Sequence, residues 1–183
     1  MSLPKLPYNI PNAVNDKAKK IKLALFDVDG VLTDGSLRYA ANGEQVKVFN
    51  ALDGHGLKML QLAGIGVGVI SARKSEALQT RLNDLNIKHC YLGVSDKLSV
   101  FKKLLGELGI SPQQCAFTGD DVIDLPVMQL CGIKFTVKNG HFIVQDMADW
   151  ITPMAGGSGA VRAICDVILY SQNNYPLDCS STQ

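Results

Sequence analysis

An apolar run that ends in two acids one residue apart, Leu23-Ala24-Leu25-Phe26-Asp27-Val28-Asp29-Gly30-Val31-Leu32-Thr33, restricts this chain more than any other stretch. Runs of this kind suit a strand buried on both faces, the usual state of a strand inside a parallel sheet. Aspartate is a poor strand residue, and two carboxylates at a buried strand end repel each other. Gly30 follows at once, where the chain turns and a ligand can approach the backbone. A divalent cation and a phosphate would relieve the repulsion, and hard oxygen ligands of this type suit Mg²⁺. The plain alternative is a solvated turn after a core strand.

Three more stretches favour the site. Val67-Gly68-Val69-Ile70-Ser71-Ala72-Arg73 is a second apolar run, ending in a hydroxyl and a cation. Ser95-Asp96-Lys97 opens a helical segment with a lysine, and Ala116-Phe117-Thr118-Gly119-Asp120-Asp121 is a third run ending in paired acids, with Asp124 one turn beyond. In an open parallel sheet ligands bind outside the carboxyl ends of the strands, so these groups converge on one crevice.

Strand and helix patterns alternate with short connections: strands near 21–26, 67–70, 90–92, 116–118, 134–137 and 149–151, and helices near 12–20, 54–63, 75–85, 96–108, 121–130 and 159–171. This predicts an α/β fold, a doubly wound Rossmann-like parallel sheet flanked by helices. The expected division is an N-terminal arm and helix over 1–20, a single α/β domain over 21–171 and a flexible tail over 172–183. One segment, about 37–50, breaks the alternation. Its Asn42-Gly43 between strand-like arms predicts a tight β-hairpin that protrudes from the domain. It is too short to form a cap domain, and so is the stretch from Ser71 to Lys97.

Composition bounds the partners. A formal net charge of +1 gives no reason to expect nucleic acid or an anionic membrane surface. No apolar run approaches a membrane span and the N-terminus lacks signal-peptide order, so a cytoplasmic location is expected. The five cysteines are scattered without a C-x-x-C pair, which fits a reducing compartment. His55, His89 and His141 show no metal-ligand spacing and read as structural or solvated.

With Asp27-x-Asp29-Gly30, Ser71, Lys97 and Gly119-Asp120-Asp121-x-x-Asp124 in this order, the chain resembles the haloacid dehalogenase superfamily of aspartate-nucleophile phosphotransferases, in its cap-less subclass. Within it the likeness is to the 3-deoxy-D-manno-octulosonate 8-phosphate (KDO 8-phosphate) phosphatases. It rests on Asp27 to Gly35, Phe49-Asn50-x-x-Asp53-Gly54-x-Gly56, Asp120-Asp121-x-Ile123-Asp124-x-Pro126-Val127-Met128 and Gly156-Gly157-x-Gly159-Ala160-Val161-Arg162, and runs from about Lys20 to about Tyr170. Ser71-Ala72-Arg73 departs from the usual Thr-Gly-Arg but keeps the hydroxyl.

The resemblance implies Mg²⁺-dependent hydrolysis of a sugar-acid phosphate through an aspartyl-phosphate, on the route to bacterial lipopolysaccharide. Asp27 is then the nucleophile and Asp29 the general acid and base. Ser71 donates to the phosphate and Lys97 balances its charge. The metal falls to Asp27, the backbone carbonyl of Asp29, and Asp120. Asp121 and Asp124 stand behind it, orienting Lys97 or metal-bound water, or are simply the acids that a helix's first turn favours. Substrate contacts fall to Asp29, Asn50, Ala51, Leu52, Asp53, Gly54, Lys58, Arg73, Arg81 and Lys97. Gly156 to Gly159 is a phosphate- or sugar-binding loop at a helix N-terminus, a flexible connection, or, by the resemblance, a segment covering the site, with Arg162 as a charged contact. A homotetramer joined through the hairpins, with active sites at subunit interfaces, is also implied. Three other readings stand beside this one: a phosphatase of a nine-carbon, sialic-acid-like sugar 9-phosphate, a phospho-accepting signalling domain, and a silent binding module.

Overall fold

The structure, a computed structural model, describes residues 5–43 and 45–176. Helix α1 (Asn12–Ala18) leads into strand β1 (Leu23–Phe26), and the hairpin strands β2 (Arg38–Tyr39) and β3 (Gln45–Val46) follow. The chain continues through α2 (Ala51–Leu62), β4 (Gly66–Ser71), α3 (Glu76–Asp84), β5 (His89–Leu92) and α4 (Lys97–Leu108). It ends with β6 (Cys115–Thr118), α5 (Leu125–Met128), β7 (Ile133–Thr136), α6 (Phe142–Met147), β8 (Trp150–Ile151) and α7 (Ala160–Ser171). Six strands form one parallel sheet in the order β5-β4-β1-β6-β7-β8. The chain winds outward from β1 through β4 and β5, then crosses back to build the other half from β6. The seam between β1 and β6 is therefore the switch point, where a doubly wound sheet opens a crevice.

Alternation along β1 serves two cores. Ala24 and Phe26 face the layer of α1, α2, α3 and α7, while Leu23 and Leu25 face α4, α5 and α6. Every residue of β1 is fully buried, which is why its sequence reads as continuously apolar.

Two local expectations are revised, and the hairpin lies where the sequence places it. Helix α2 starts at Ala51 rather than Gly54, because the Asn50 side chain caps it by accepting from the Leu52 amide at 2.8 Å. Its glycines mark close approach instead of a boundary: a Cβ on Gly56 would press on Arg162 and Cys165 of α7. The helix expected over 121–130 is a 3₁₀ turn, Val122–Asp124, followed by the short α5 with Pro126 in its first turn. The hairpin closes through the Ala40–Gly43 turn, whose Gly43 amide donates to the Ala40 carbonyl at 2.9 Å, with positive φ at Gly43 and not at Asn42.

Both ends of the described chain are docked. Tyr8 packs on Trp150 and donates to Asp166, and Gln172 donates to the carbonyls of Ala18 and Ile21. Tyr175 accepts from Arg162 and donates to Asp166, so the stretch 172–176 is anchored by a buried polar network rather than hanging free. The rest of the tail expected over 172–183, from residue 177 onward, lies outside the described residues, as do residues 1–4.

Candidate active site

The register brings the acids together. Phe26 pairs with Val69 on one side and Thr118 on the other, so Asp27, Ser71 and Asp120 leave the sheet at adjacent strand ends. The Asp27 amide still donates to the Thr118 carbonyl at 2.9 Å, which holds the nucleophile candidate to the sheet. Beyond it the chain turns at Gly30, whose φ of +97° and position leave no room for a side chain: a Cβ would lie 2.0 Å from an Asp120 carboxylate oxygen. Thr33 braces the loop, its hydroxyl accepting from the amides of Gly30 and Gly35, both at 3.3 Å.

Lys97, at the start of α4, is buried and donates to Asp27 at 2.6 Å and to Asp124 at 2.7 Å. The other Asp124 oxygen accepts from the amides of Asp120 and Asp121, so both oxygens of Asp124 are engaged. Asp124 thus braces Lys97 and closes its own helical turn at once. Asp121 is exposed and accepts from the Val122 amide. Oxygens of Asp27, Asp120 and Asp124 lie within 4.8 Å of one another.

Three carboxylates around one ammonium in a desolvated crevice are electrostatically uneasy. Burial, then the Asp124 charge, push the Asp27 carboxyl up to about 6 despite Lys97. Burial, then Asp27, Asp124 and Asp121, push Asp120 up to about 7. Burial alone would lower Lys97, but Asp27 and Asp124 together hold it above the ordinary lysine value. An all-oxygen donor set with surplus negative charge fits a hard divalent cation such as Mg²⁺. Asp27 and Asp120 are the carboxylates able to hold it, since Asp124 is already occupied.

Asp29 is engaged from the hairpin side, apart from the Asp27, Asp120 and Asp124 group. Its carboxylate is paired with Lys47, on the return arm of the hairpin, and lies 4.0 Å from the Arg73 guanidinium. Ser71 is buried, and its hydroxyl accepts from the Arg73 amide at 3.2 Å. Of the expected substrate contacts, Lys97 lies on Asp27 and half-exposed Arg73 lies beside Asp29.

The other expected contacts divide. Ala51 and Leu52 are exposed on the first turn of α2, Lys58 is half-buried two turns on, and the Asn50 oxygen is spent on its cap. Arg81 donates to the Asn50 carbonyl at 3.3 Å and fills the space that Gly54 leaves, so it braces α3 against α2. Asp53 is 1% exposed and accepts from the amides of Gly159 and Arg162 of α7, at 3.3 and 2.8 Å. Its carboxylate thereby caps the start of α7.

Gly156 to Gly159 is neither a phosphate cradle nor a loose link. A Cβ on Gly156 would lie 1.7 Å from the Gly30 carbonyl oxygen, and the Gly157 amide donates to the Val31 carbonyl at 3.0 Å. The segment roofs the nucleophile loop. Arg162 is turned away, onto Asp166 and Tyr175. Residues that sequence reasoning did not name complete the frame. The Thr136 hydroxyl donates to the Gly119 carbonyl at 2.7 Å, the His141 amide to the Asp120 carbonyl at 2.7 Å, and the Gly156 amide to Asn139 at 2.9 Å.

A buried aspartate at a switch point, with a buried lysine and a second strand-end acid converging on it, is the arrangement that an aspartate-dependent phosphotransferase needs. The chain belongs to the haloacid dehalogenase-like hydrolases, whose family model matches residues 92–164. Within them it falls with the 3-deoxy-D-manno-octulosonate 8-phosphate phosphatases. It is 43% identical to the phosphatase KdsC of that name from Salmonella typhi, over 87% of this chain and 85% of the relative. The crystal structure of the Yersinia pestis phosphatase superposes with a TM-score of 0.89 at 40% identity, covering 90% of this chain and 89% of the other. That of the Moraxella catarrhalis phosphatase, in complex with a magnesium ion, a phosphate ion and KDO, superposes with a TM-score of 0.87 at 40% identity, covering 89% and 94%.

Proposed function

We propose that this chain is a Mg²⁺-dependent phosphatase that hydrolyses 3-deoxy-D-manno-octulosonate 8-phosphate to KDO and phosphate, the phosphate-releasing step for a lipopolysaccharide sugar. The observation that carries it is the buried Asp27–Lys97–Asp124 chain facing Asp120 at the β1/β6 seam, in a chain whose relatives of that name match it over most of their length.

Asp27 attacks phosphorus as carboxylate, and the bond from phosphorus to the sugar oxygen breaks as Asp29 delivers a proton to that oxygen. Water then attacks the aspartyl-phosphate, gives its proton to Asp29, and the acyl-phosphate bond breaks to restore Asp27. Lys97 holds Asp27 in place, and Ser71 with Lys97 receives the phosphoryl oxygens. Asp27 and Asp120, with the Asp29 carbonyl, would hold Mg²⁺, which would neutralise phosphate charge there. Arg73 suits the sugar carboxylate, which its guanidinium can meet bidentately.

The hairpin supports an assembly through which neighbouring subunits complete each crevice, a homotetramer in this reading. Tyr39 is 59% and Val48 56% exposed on it, an apolar surface that a two-stranded ribbon cannot cover alone. A cytoplasmic location accords with this substrate, and among the described residues no helix is long and apolar enough to cross a membrane.

The test is phosphate release by the purified protein from KDO 8-phosphate and from a nine-carbon sugar-acid 9-phosphate, with Mg²⁺ and with chelator. Release from the eight-carbon ester that needs Mg²⁺ and vanishes in Asp27→Asn, with unchanged thermal unfolding cooperativity, is expected. Preference for the nine-carbon ester overturns the substrate, and full activity of Asp27→Asn overturns the nucleophile.

A further inference from the structure

Lys47 has no part in the reaction as set out above, yet its side chain is only 4% exposed and its ammonium rests against the Asp29 carboxylate. The return arm of the hairpin reads Val46-Lys47-Val48 with its polarity inverted: both valines are exposed and the lysine is turned in. A lysine on a surface ribbon would ordinarily keep its charge in water while the valines packed. Burying an ammonium costs several kcal/mol unless a charged partner compensates, so this inward turn is maintained by the pairing with Asp29.

The two acids of the Asp27-x-Asp29 pair are thereby served by separate cations. Lys97, from the core helix α4, takes Asp27, and Lys47, from the hairpin, takes Asp29. Asp29 needs a brace more than Asp27 does. It lies beyond the strand, next to the φ-positive Gly30, with its side chain 19% exposed. Lys47 contacts one carboxylate oxygen, while the other is the one 4.0 Å from Arg73, and the side chain stays 19% exposed.

We propose that Lys47 is a positioning residue: it fixes one oxygen of Asp29 so that the other is presented to the reacting oxygen in both proton transfers. This rests on the aspartyl-phosphate reading, and it makes the hairpin part of the catalytic apparatus.

Replacement of Lys47 by Met keeps the stem and removes the charge. The readouts are kcat and KM on an alkyl sugar phosphate and the time course on 4-nitrophenyl phosphate. With the sugar phosphate kcat falls ~10²-fold, the scale of one general acid–base function, with KM little changed. 4-Nitrophenolate leaves without a proton, so its release in the first turnover is spared while water attack is slowed. The variant then gives a burst of about one equivalent per active site, followed by a slow steady state. Lys47→Arg, which restores a cation, recovers part of the kcat. A raised KM with no burst would mean that Lys47 grips substrate, and an equal loss on both esters with no burst would mean a structural role. Either overturns the proposal. Wild-type protein that shows no turnover dependent on Asp27 fails the phosphatase reading instead, so the two failures are distinct.

Discussion

Asp120 is desolvated and faces two other carboxylates, and burial first, then their charges, raise its proton affinity. With Asp27 raised to about 6 and Asp120 to about 7, against 3.8 for a free carboxyl, the metal-free folded protein holds protons that the unfolded chain has lost. Stability therefore falls as pH rises through the interval from 3.8 toward those folded values, and levels off above them. Metal-free protein melts higher at pH about 5 than at pH about 8, and saturating Mg²⁺ erases or reverses that order by taking the place of the protons. Asp120→Asn removes one of the repelling charges. It raises the metal-free melting temperature by a few degrees, on the order of 1 kcal/mol, while abolishing the Mg²⁺-induced shift. Thermal unfolding with chelator and with Mg²⁺ checks both, and a variant still stabilised by Mg²⁺ would remove Asp120 as a ligand.

At the scale of elements, glycines separate those required by packing from those merely allowed. Gly156→Ala drives a methyl into the Gly30 carbonyl and is expected to cost about 1–3 kcal/mol or more, with turnover lost because the loop carrying Asp27 and Asp29 must shift. Gly106→Ala, in an open position on the exposed side of α4, is expected to gain about 0.5–1 kcal/mol with activity intact. Chemical denaturation of the two variants against the parent distinguishes these outcomes. Strand ends were legible from sequence because an apolar run halting at carboxylates has few other uses. The start of α2 was less so: Asn50 is a good cap, but Gly54 and Gly56 lower helix propensity, and only their contacts with Arg81 and α7 explain them. Asp53 reads as a sugar ligand by chemistry, and its partners lie more than a hundred positions away on α7, a relation no local pattern carries. Lys47 did leave a trace, a cation between valines on a ribbon, but that trace has meaning only once the buried face is known.

Considered whole, the molecule keeps its crevice open and carries instead a hairpin with one face committed to Asp29 and the other presenting Tyr39, Val46 and Val48. If Lys47 positions Asp29 as proposed, an assembly that holds the second face still also steadies the first. Val48→Asp, which places a charge on the outer face without touching Lys47, is expected to yield smaller particles by light scattering and a correspondingly lower kcat. A variant that stays fully assembled would show that subunits meet elsewhere. A ribosome delivers Asp27 and Gly30 over a hundred positions before Gly156 and Gly157. Until that late segment arrives, the turn carrying the nucleophile has no roof, and α7 has not met the cap that Asp53 offers it. A chain cut before residue 156 would hold Asp27, Lys97 and Asp120 without the segment that packs on Gly30 and without the helix that Asp53 caps.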